Sequence, residues 1–196
     1  SDLDAARGAG LDSFFPRPAP EAQRRIMQVK EEQGAGRTVM VIGSSGSGSL
    51  MDQVGDLSSV LDRCLEAKIF LVNPFAQDSQ ARMEACGRPA GALPAFREEV
   101  RQSIAVLKRL KAMGKVVKLK LYSDPPLVKL VILGEYLWLQ HGPADPAMQH
   151  MPEYVLRRSR KEQGLYTFYA QYFLQRWENA DFPEYDLETD ELVCRS

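Results

Sequence analysis

Three short apolar segments, each separated from the next by a helical pattern, constrain the fold of this chain more than any other feature. The segments are RTVMVIG from Arg37 to Gly43, KIFLVNP from Lys68 to Pro74, and VVKLKLYS from Val116 to Ser123. Apolar runs of this length that are rich in β-branched residues are typical of buried strands. The order β, α, β, α, β predicts an α/β fold with a mixed, mostly parallel sheet flanked by helices on both faces.

The segments between these strands have the periodicity of amphipathic helices. In the first of them, apolar residues recur at steps of three and four: Leu50, Val54, Leu57, Leu61 and Leu65. In the second, the apolar positions are Phe96, Val100, Ile104, Leu107 and Leu110, and Gly114 follows as a C-cap. We expect both helices to pack their apolar stripes against the sheet.

The remainder of the chain divides into a hairpin, a loop, a last helix and two terminal segments. The run from Leu127 to Gln140 predicts a β-hairpin that turns near Gly134. Residues 141 to about 163 are expected to form an ordered loop, and residues 165–180 an aromatic helix that packs in the core and also contacts a subunit or domain. We expect an arm or linker over residues 1–19, the α/β domain over residues 20–180, and an acidic tail over residues 181–196.

Composition excludes several classes of protein. The 196 residues suit one domain, and the formal net charge of −1 gives no argument for nucleic acid, which we do not expect this domain to bind. No apolar run approaches the roughly 18 residues of a membrane span, so no membrane partner is expected. The three cysteines have no metal-binding spacing. We therefore expect a reduced, cytoplasmic protein with no metal and no cofactor.

The run TVMVIGSSGSGSLM places a Gly/Ser-rich loop between a strand and a helical pattern. Such a loop can hold a phosphate, because backbone amides point at the anion. A P-loop requires a lysine that is missing here, and the glycine spacing does not match the dinucleotide fingerprint. Two interpretations remain: a flexible turn, or an anion site in which Ser44, Ser45 and Ser47 present hydroxyl groups.

Four further side chains are candidates for the same site. Asn73 and Arg82 follow the second strand, and Arg82 either clamps a phosphate or carboxylate or pairs with Asp78 or Glu84 on the surface. Lys129 lies in an apolar strand and faces either solvent or a pocket. His141 ends the hairpin and either contacts a ligand or is simply hydrogen-bonded.

The ordered series of motifs resembles the phospholipase-D-like family. It comprises SFFP, VMVIGSSGSGSLMD, IFLVNPFAQDSQAR, the segment from Ile104 to Leu139, and FYAQYFLQRWENA, and it covers roughly residues 13–180. Active members carry H-x-K-x4-D followed by Gly-Ser or Gly-Thr. On this chain the lysine falls on Lys129, whereas Leu127 and Gly134 occupy the positions of the nucleophilic histidine and the aspartate. His141 and Gly142 occupy the Gly-Ser position.

This departure implies a domain that binds but does not hydrolyse. Cleavage through a phosphohistidine needs one histidine as nucleophile and a second as general acid. We therefore expect a non-catalytic regulatory module of a bacterial signalling or transcription-related protein, which binds an anionic small molecule or nucleotide, or a protein partner. The resemblance also suggests a homodimer. Two alternatives remain open: a phosphodiester hydrolase or nuclease with altered chemistry, and a ligand-free interaction scaffold.

Overall fold

The computed structural model describes residues 2–15, 19–50, 57–85, 88–123, 127–141, 152–160 and 164–194. In these ranges the chain forms nine strands and six helices. The strands are β1 (Leu11–Phe15), β2 (Thr38–Ile42), β3 (Glu66–Val72), β4 (Val116–Tyr122), β5 (Val128–Leu133), β6 (Tyr136–His141), β7 (Glu153–Arg157), β8 (Glu184–Asp186) and β9 (Glu191–Val193). The helices are α1 (Asp2–Gly8), α2 (Pro20–Gly34), α3 (Ser58–Arg63), α4 (Ser79–Ala85), α5 (Leu93–Ala112) and α6 (Leu165–Glu178).

The nine strands form one mixed open sheet in the order β1-β7-β6-β5-β2-β3-β4-β8-β9. The expectation of a mostly parallel sheet is wrong, because only β2–β3 and β3–β4 are parallel. The other six neighbouring pairs are antiparallel. The physical reason is that the three parallel strands β2, β3 and β4 form only the centre of the sheet. The hairpins β5–β6 and β8–β9 pair in antiparallel fashion on either side of it, and β7 and β1 extend the sheet beyond β6.

Helices cover both faces of the sheet. The connections β2–α3–β3 and β3–α5–β4 advance in one direction, so right-handed crossovers place α3 and α5 on the same face. The opposite face carries α6, because the ring of Phe70 lies 5.0 Å from that of Trp177 and 5.6 Å from that of Phe173. We call these the α5 face and the α6 face. They explain why the carboxyl-terminal half of β3 is buried on both sides, with Ile69 and Leu71 on the α5 face and Phe70 and Val72 on the α6 face.

The two predicted amphipathic helices agree with the structure to different extents. In α5 all five predicted stripe positions are buried, which confirms that prediction. The helix predicted between the first two strands is shorter in the described residues: α3 begins at Ser58, and Leu50 is buried outside it. Helix α3 ends at Arg63, its C-cap Cys64 is extended, and the N–H of Leu65 bonds to the carbonyl of Arg37. Leu65 is therefore 64% exposed, while Val54 lies outside the described residues.

Segments that we expected to lack regular structure contribute strands. The predicted loop after residue 141 contains β7, although residues 142–151 lie outside the described ranges. The predicted arm contains β1, which pairs with β7 and stacks Phe14 on Tyr154 at 4.9 Å. The predicted tail contains β8 and β9; β8 pairs with β4, and Leu187 is buried. Pairing with the sheet satisfies the backbone groups of these segments. The domain boundaries at residues 19 and 181 stay predictions.

The hairpin of β5 and β6 turns at Gly134, as predicted, with φ of +55°. None of the described helices is long and apolar enough to cross a bilayer.

Candidate functional site

The serine loop, residues 43–50, leaves the carboxyl end of β2 and is bonded to its surroundings. The carbonyl of Ser44 accepts a hydrogen bond from the N–H of Val72 at 2.9 Å. The carbonyl of Ser45 accepts one from the hydroxyl of Ser103 on α5 at 2.7 Å. The buried hydroxyl of Tyr122 donates to the carbonyl of Gly43. Burial raises the pKa of Tyr122 well above its ordinary value, which keeps this donor protonated. These contacts favour a fixed loop over the flexible turn.

Gly46 fixes the turn inside this loop. Its φ of +82° is a left-handed conformation, and its carbonyl accepts hydrogen bonds from the N–H groups of Ser49 and Leu50. A Cβ atom at this position would lie 2.5 Å from Oγ of Ser103. Only glycine fits here without a shift of α5 or of the loop.

The serine hydroxyls differ in accessibility. Ser45 is buried, and its Oγ lies 3.1 Å from Oγ of Ser47 and accepts from the N–H of Ser47 at 3.3 Å. Ser44 and Ser47 are half-buried, and Gly48 is exposed. The side of the loop that faces solvent therefore presents Ser44 and Ser47, with Ser45 behind them.

Arg88 adds a positive charge that sequence analysis missed. Its Nη2 donates to Oγ of Ser44 at 3.1 Å, and its guanidinium lies 4.8 Å from the centre of the Phe96 ring on α5. The ring holds the guanidinium in place by a cation–π contact. Nothing in the run CGRPA marks this arginine, because Arg88 and Ser44 are 44 positions apart and meet only through the parallel sheet.

Lys129 lies on β5, beside the end of β2 from which the serine loop leaves. The register pairs Ile42 with Leu130, so Lys129 lies beside Gly43, where the serine loop begins. Lys129 shares the α5 face with Val131 and Val41, since alternate residues of a strand share a face. The Ser103 contact draws the serine loop toward this same face.

A polar row continues from Lys129 across the sheet. Lys129 pairs with Gln140, and Gln140 pairs with Glu153. The buried Lys30 of α2 lies 3.8 Å from Oε1 of Glu153 and 5.4 Å from the centre of the Trp138 ring. Arg88 therefore contacts the serine loop directly, and the polar row starts at Lys129 beside the residue where the loop begins.

Two of the predicted site residues have other roles. The side-chain oxygen of Asn73 accepts from the N–H of Phe75 at 2.9 Å, and Oγ of Ser79 donates to the Asn73 carbonyl. Asn73 therefore shapes the turn after β3. Nε of Arg82 lies 2.5 Å from Oδ2 of Asp78, which is the surface ion pair that we had considered as the alternative.

His141 lies on the opposite face from Lys129. It pairs with Val128, one residue away from Lys129 along β5, and one step along a strand reverses the side-chain direction. Its ring contacts Tyr154 edge-on at 5.6 Å on the α6 face.

The predicted group of seven residues is therefore not one cluster. Ser44, Ser45 and Ser47 share the loop, Lys129 lies beside the start of the loop, and Asn73 lies next to Val72, whose N–H bonds to Ser44. The side chain of Asn73 is bonded to Phe75, Arg82 pairs with Asp78, and His141 lies on the other face.

Within the described ranges, no three His, Cys, Asp or Glu side chains are grouped closely enough to hold a metal ion.

Comparisons with known proteins find no matching family model and no matching curated protein. Among solved structures, TrmBL2, an archaeal chromatin protein whose structure shows a novel mode of DNA binding, is similar at 14% identity with a TM-score of 0.43. The match covers 85% of this chain, and the chain spans about half (52%) of that protein. NucT from Helicobacter pylori is similar at 12% identity with a TM-score of 0.41, over 83% of this chain and 94% of that one. The phospholipase-D-like resemblance stays a prediction from the sequence.

Proposed function

We propose that this chain is a non-catalytic, cytoplasmic regulatory module that binds an anionic ligand at the serine loop. The observation that carries the proposal is the contact of the Arg88 guanidinium with Ser44 in a loop of serine hydroxyls, with Lys129 placed by the strand register beside Gly43, where the loop begins. A guanidinium and an ammonium beside hydroxyl donors suit a phosphate group, because charge-assisted hydrogen bonds to phosphate are the strong ones.

The proposal excludes hydrolysis on chemical grounds. By the resemblance, the nucleophile would stand at Leu127, which is an aliphatic residue and 83% exposed at the end of β5. His141 is the candidate base of the alternative hydrolase, and it lies on the face of the sheet away from Lys129. His141 is the one imidazole among the described residues, and its contact with Tyr154 on the α6 face does not place it to activate Ser44 or Ser47.

The test is calorimetric titration of the chain with inorganic phosphate. Truncation of a cation that bonds to the ligand removes about 1.5–3 kcal/mol, so Arg88→Ala and Lys129→Ala should each weaken binding by about tenfold or more. Arg82→Ala is the matched control, since Arg82 pairs with Asp78, and we expect no change. Absence of phosphate binding would favour the ligand-free scaffold.

An assay for turnover of bis(4-nitrophenyl) phosphate distinguishes a non-catalytic binding module from a phosphodiester hydrolase. We expect no turnover, with or without divalent metal. Turnover that is lost in His141→Ala would favour the alternative hydrolase and would overturn the proposal.

A further inference from the structure

The outward side of helix α6 carries no charge along most of its length. Its inward side packs on the sheet, where Phe173 contacts the ring of Phe70. The stretch from Leu165 to Gln175 contains no charged residue, although five of its positions are exposed: Leu165, Phe168, Gln171, Leu174 and Gln175. Surface helices usually place charged side chains on the side away from the core, as α5 does with Glu98, Arg101, Arg109 and Lys111. The outward side of α6 therefore has the composition of a contact surface.

An apolar stripe runs along this outward side. Leu165, Phe168 and Tyr172 recur at steps of three and four, and Gln175 follows after three more residues. At about 100° per residue, the four positions lie within about 80° of the helix circumference. Phe168 is 63% exposed and Leu165 is 42% exposed. Because steps of three and four are the spacing with which the side chains of two helices interdigitate, the stripe is suited to pack against another helix.

The exposed charges at the two ends of α6 are opposite to those that the helix dipole favours. Arg158 and Arg160 precede the amino terminus, whereas Glu178 ends the helix and Asp181 follows it, and all four are exposed. Anions stabilise the amino end of a helix and cations stabilise its carboxyl end. The N-cap residue, Gly164, has no side chain that could supply an acceptor. Carboxylates brought to the first end and cations brought to the second would therefore improve the electrostatics of α6.

The other charges near the amino end leave it positive. Arg7 lies two residues before Ala9, whose carbonyl accepts a hydrogen bond from the N–H of Leu165. Glu135 lies 3.8 Å from Arg158 and offsets one of the positive charges. The acidic residues of α1 lie toward its opposite end: Asp2 and Asp4.

At the carboxyl end, two cations contact the domain itself. The guanidinium of Arg176 lies 4.9–5.9 Å from the centres of three aromatic rings. Nζ of Lys120 donates to the carbonyl of Trp177. Both cations are half-buried, so the exposed charges at this end are the carboxylates of Glu178 and Asp181.

We propose that the outward side of α6 binds the same helix of a second copy of this chain, in antiparallel orientation. Two-fold symmetry then places Phe168 against the partner's Tyr172, and the partner's Phe168 against Tyr172. Each Asp181 comes near Arg160 of the partner subunit, so both helices gain carboxylates at the amino end and arginines at the carboxyl end. A parallel pair would bring like charges together. The surface carries both of the complements that it needs, which argues for a second copy over an unrelated partner.

The contact is small. Helix α6 has 14 residues and is about 21 Å long, and a pair of such helices buries less than the roughly 800 Å² per partner of a standard interface. We therefore expect a weak dimer, with a dissociation constant on the order of 10–100 µM. Helix α6 and the α5 face, toward which the serine loop is drawn, lie on opposite sides of the sheet. The dimer is therefore independent of the proposed function.

Sedimentation equilibrium of the full chain, at concentrations from about 5 to 500 µM, tests the proposal. We expect a reversible dimer, and Phe168→Gln should weaken it at least about tenfold, because Phe168 is the large exposed side chain of the stripe. Leu174→Gln is the matched control, since Leu174 is also an exposed apolar residue of α6 but lies about 120° from Phe168. It should leave the dissociation constant unchanged.

A charge swap tests the antiparallel orientation. Arg160→Asp and Asp181→Arg should each weaken the dimer at least about fivefold, because each change makes two symmetric contacts repulsive. The double variant restores opposite charges across the contact and should associate to within about twofold of wild type.

Four results would overturn the proposal: a chain that stays monomeric at the highest concentration, a dimer that Phe168→Gln leaves intact, an equal loss in Leu174→Gln, and a double variant that associates no better than the single ones. Circular dichroism of each variant establishes that it is folded. Calorimetric titration with phosphate is run in parallel, so failure here is distinguishable from failure of the proposed function.

Discussion

Gly46 determines the shape of the serine loop through its backbone conformation and its contact with α5. The substitution Gly46→Ala forces a Cβ into a left-handed residue and to within 2.5 Å of Oγ of Ser103. We expect it to lower the free energy of unfolding by about 1–3 kcal/mol and to weaken phosphate binding.

Gly48 offers a control in the same loop, because a Cβ there meets nothing within 4 Å. We expect Gly48→Ala to change the free energy of unfolding, measured in urea, by no more than about 0.5 kcal/mol. Equal effects of the two substitutions would contradict a loop whose shape is set at Gly46.

Tyr185 makes stability depend on alkaline pH. Burial, followed by a hydrogen bond to Asp190, raises its pKa from 10.0 to about 12. Because the folded pKa lies above the unfolded one, the stabilisation by the neutral phenol is complete below pH 10 and is lost as the pH rises toward about 12. The difference in free energy of unfolding between wild type and Tyr185→Phe should therefore shrink across this range. A difference that is constant from about pH 9 to 12 would be inconsistent with this shift.

At the scale of elements, the hairpin of β8 and β9 is a packed part of the sheet. Leu187 in its turn is 6% exposed, whereas Leu192 on β9 is 41% exposed. We expect Leu187→Ala to lower the free energy of unfolding by about 2–4 kcal/mol and Leu192→Ala by less than about 1 kcal/mol. Thermal or urea unfolding measures both. Two small and equal effects would instead indicate that the segment is the tail expected from composition.

The sequence predicts those elements whose own periodicity determines them. Helix α5 follows from its apolar stripe, and the β5–β6 hairpin follows from alternation around Gly134. The apolar pattern wrongly predicts that the helix extends to Leu65. An apolar residue at a helical step can equally lie in the extended segment that precedes a strand. The short strands β1, β8 and β9 escape detection, since segments of only three to five residues carry too little periodicity and become strands when a sheet edge pairs with them.

The candidate site is predictable only in part, for a related reason. The serine loop and Lys129 lie in strands or next to them, so their positions follow once the strands are placed. Arg88 lies in an irregular segment, and His141 depends on the register of β6, where one residue decides the face. Neither is encoded in local sequence spacing.

At the scale of the whole molecule, the sheet separates the serine loop from the lysine pair Lys68 and Lys118 on its opposite face. The serine loop lies at the carboxyl end of β2 toward the α5 face, and Lys118 lies in the amino-terminal half of β4 on the α6 face. Sites without shared partners act additively. We expect Lys118→Glu to leave phosphate affinity, measured by calorimetric titration, unchanged. A change of more than about threefold would show coupling through the sheet.

The most direct measurement of the central claim is a titration of the isotopically labelled chain with inorganic phosphate, followed by amide chemical shifts in NMR spectra. An anion bound at Arg88 and Lys129 should shift the amides of Ser44 to Gly48 and of Arg88 in a saturable manner, and Lys129→Ala should raise the phosphate concentration needed for half-saturation about tenfold or more. Shifts that centre on Arg82 or His141, or a serine loop that does not respond, would contradict the account.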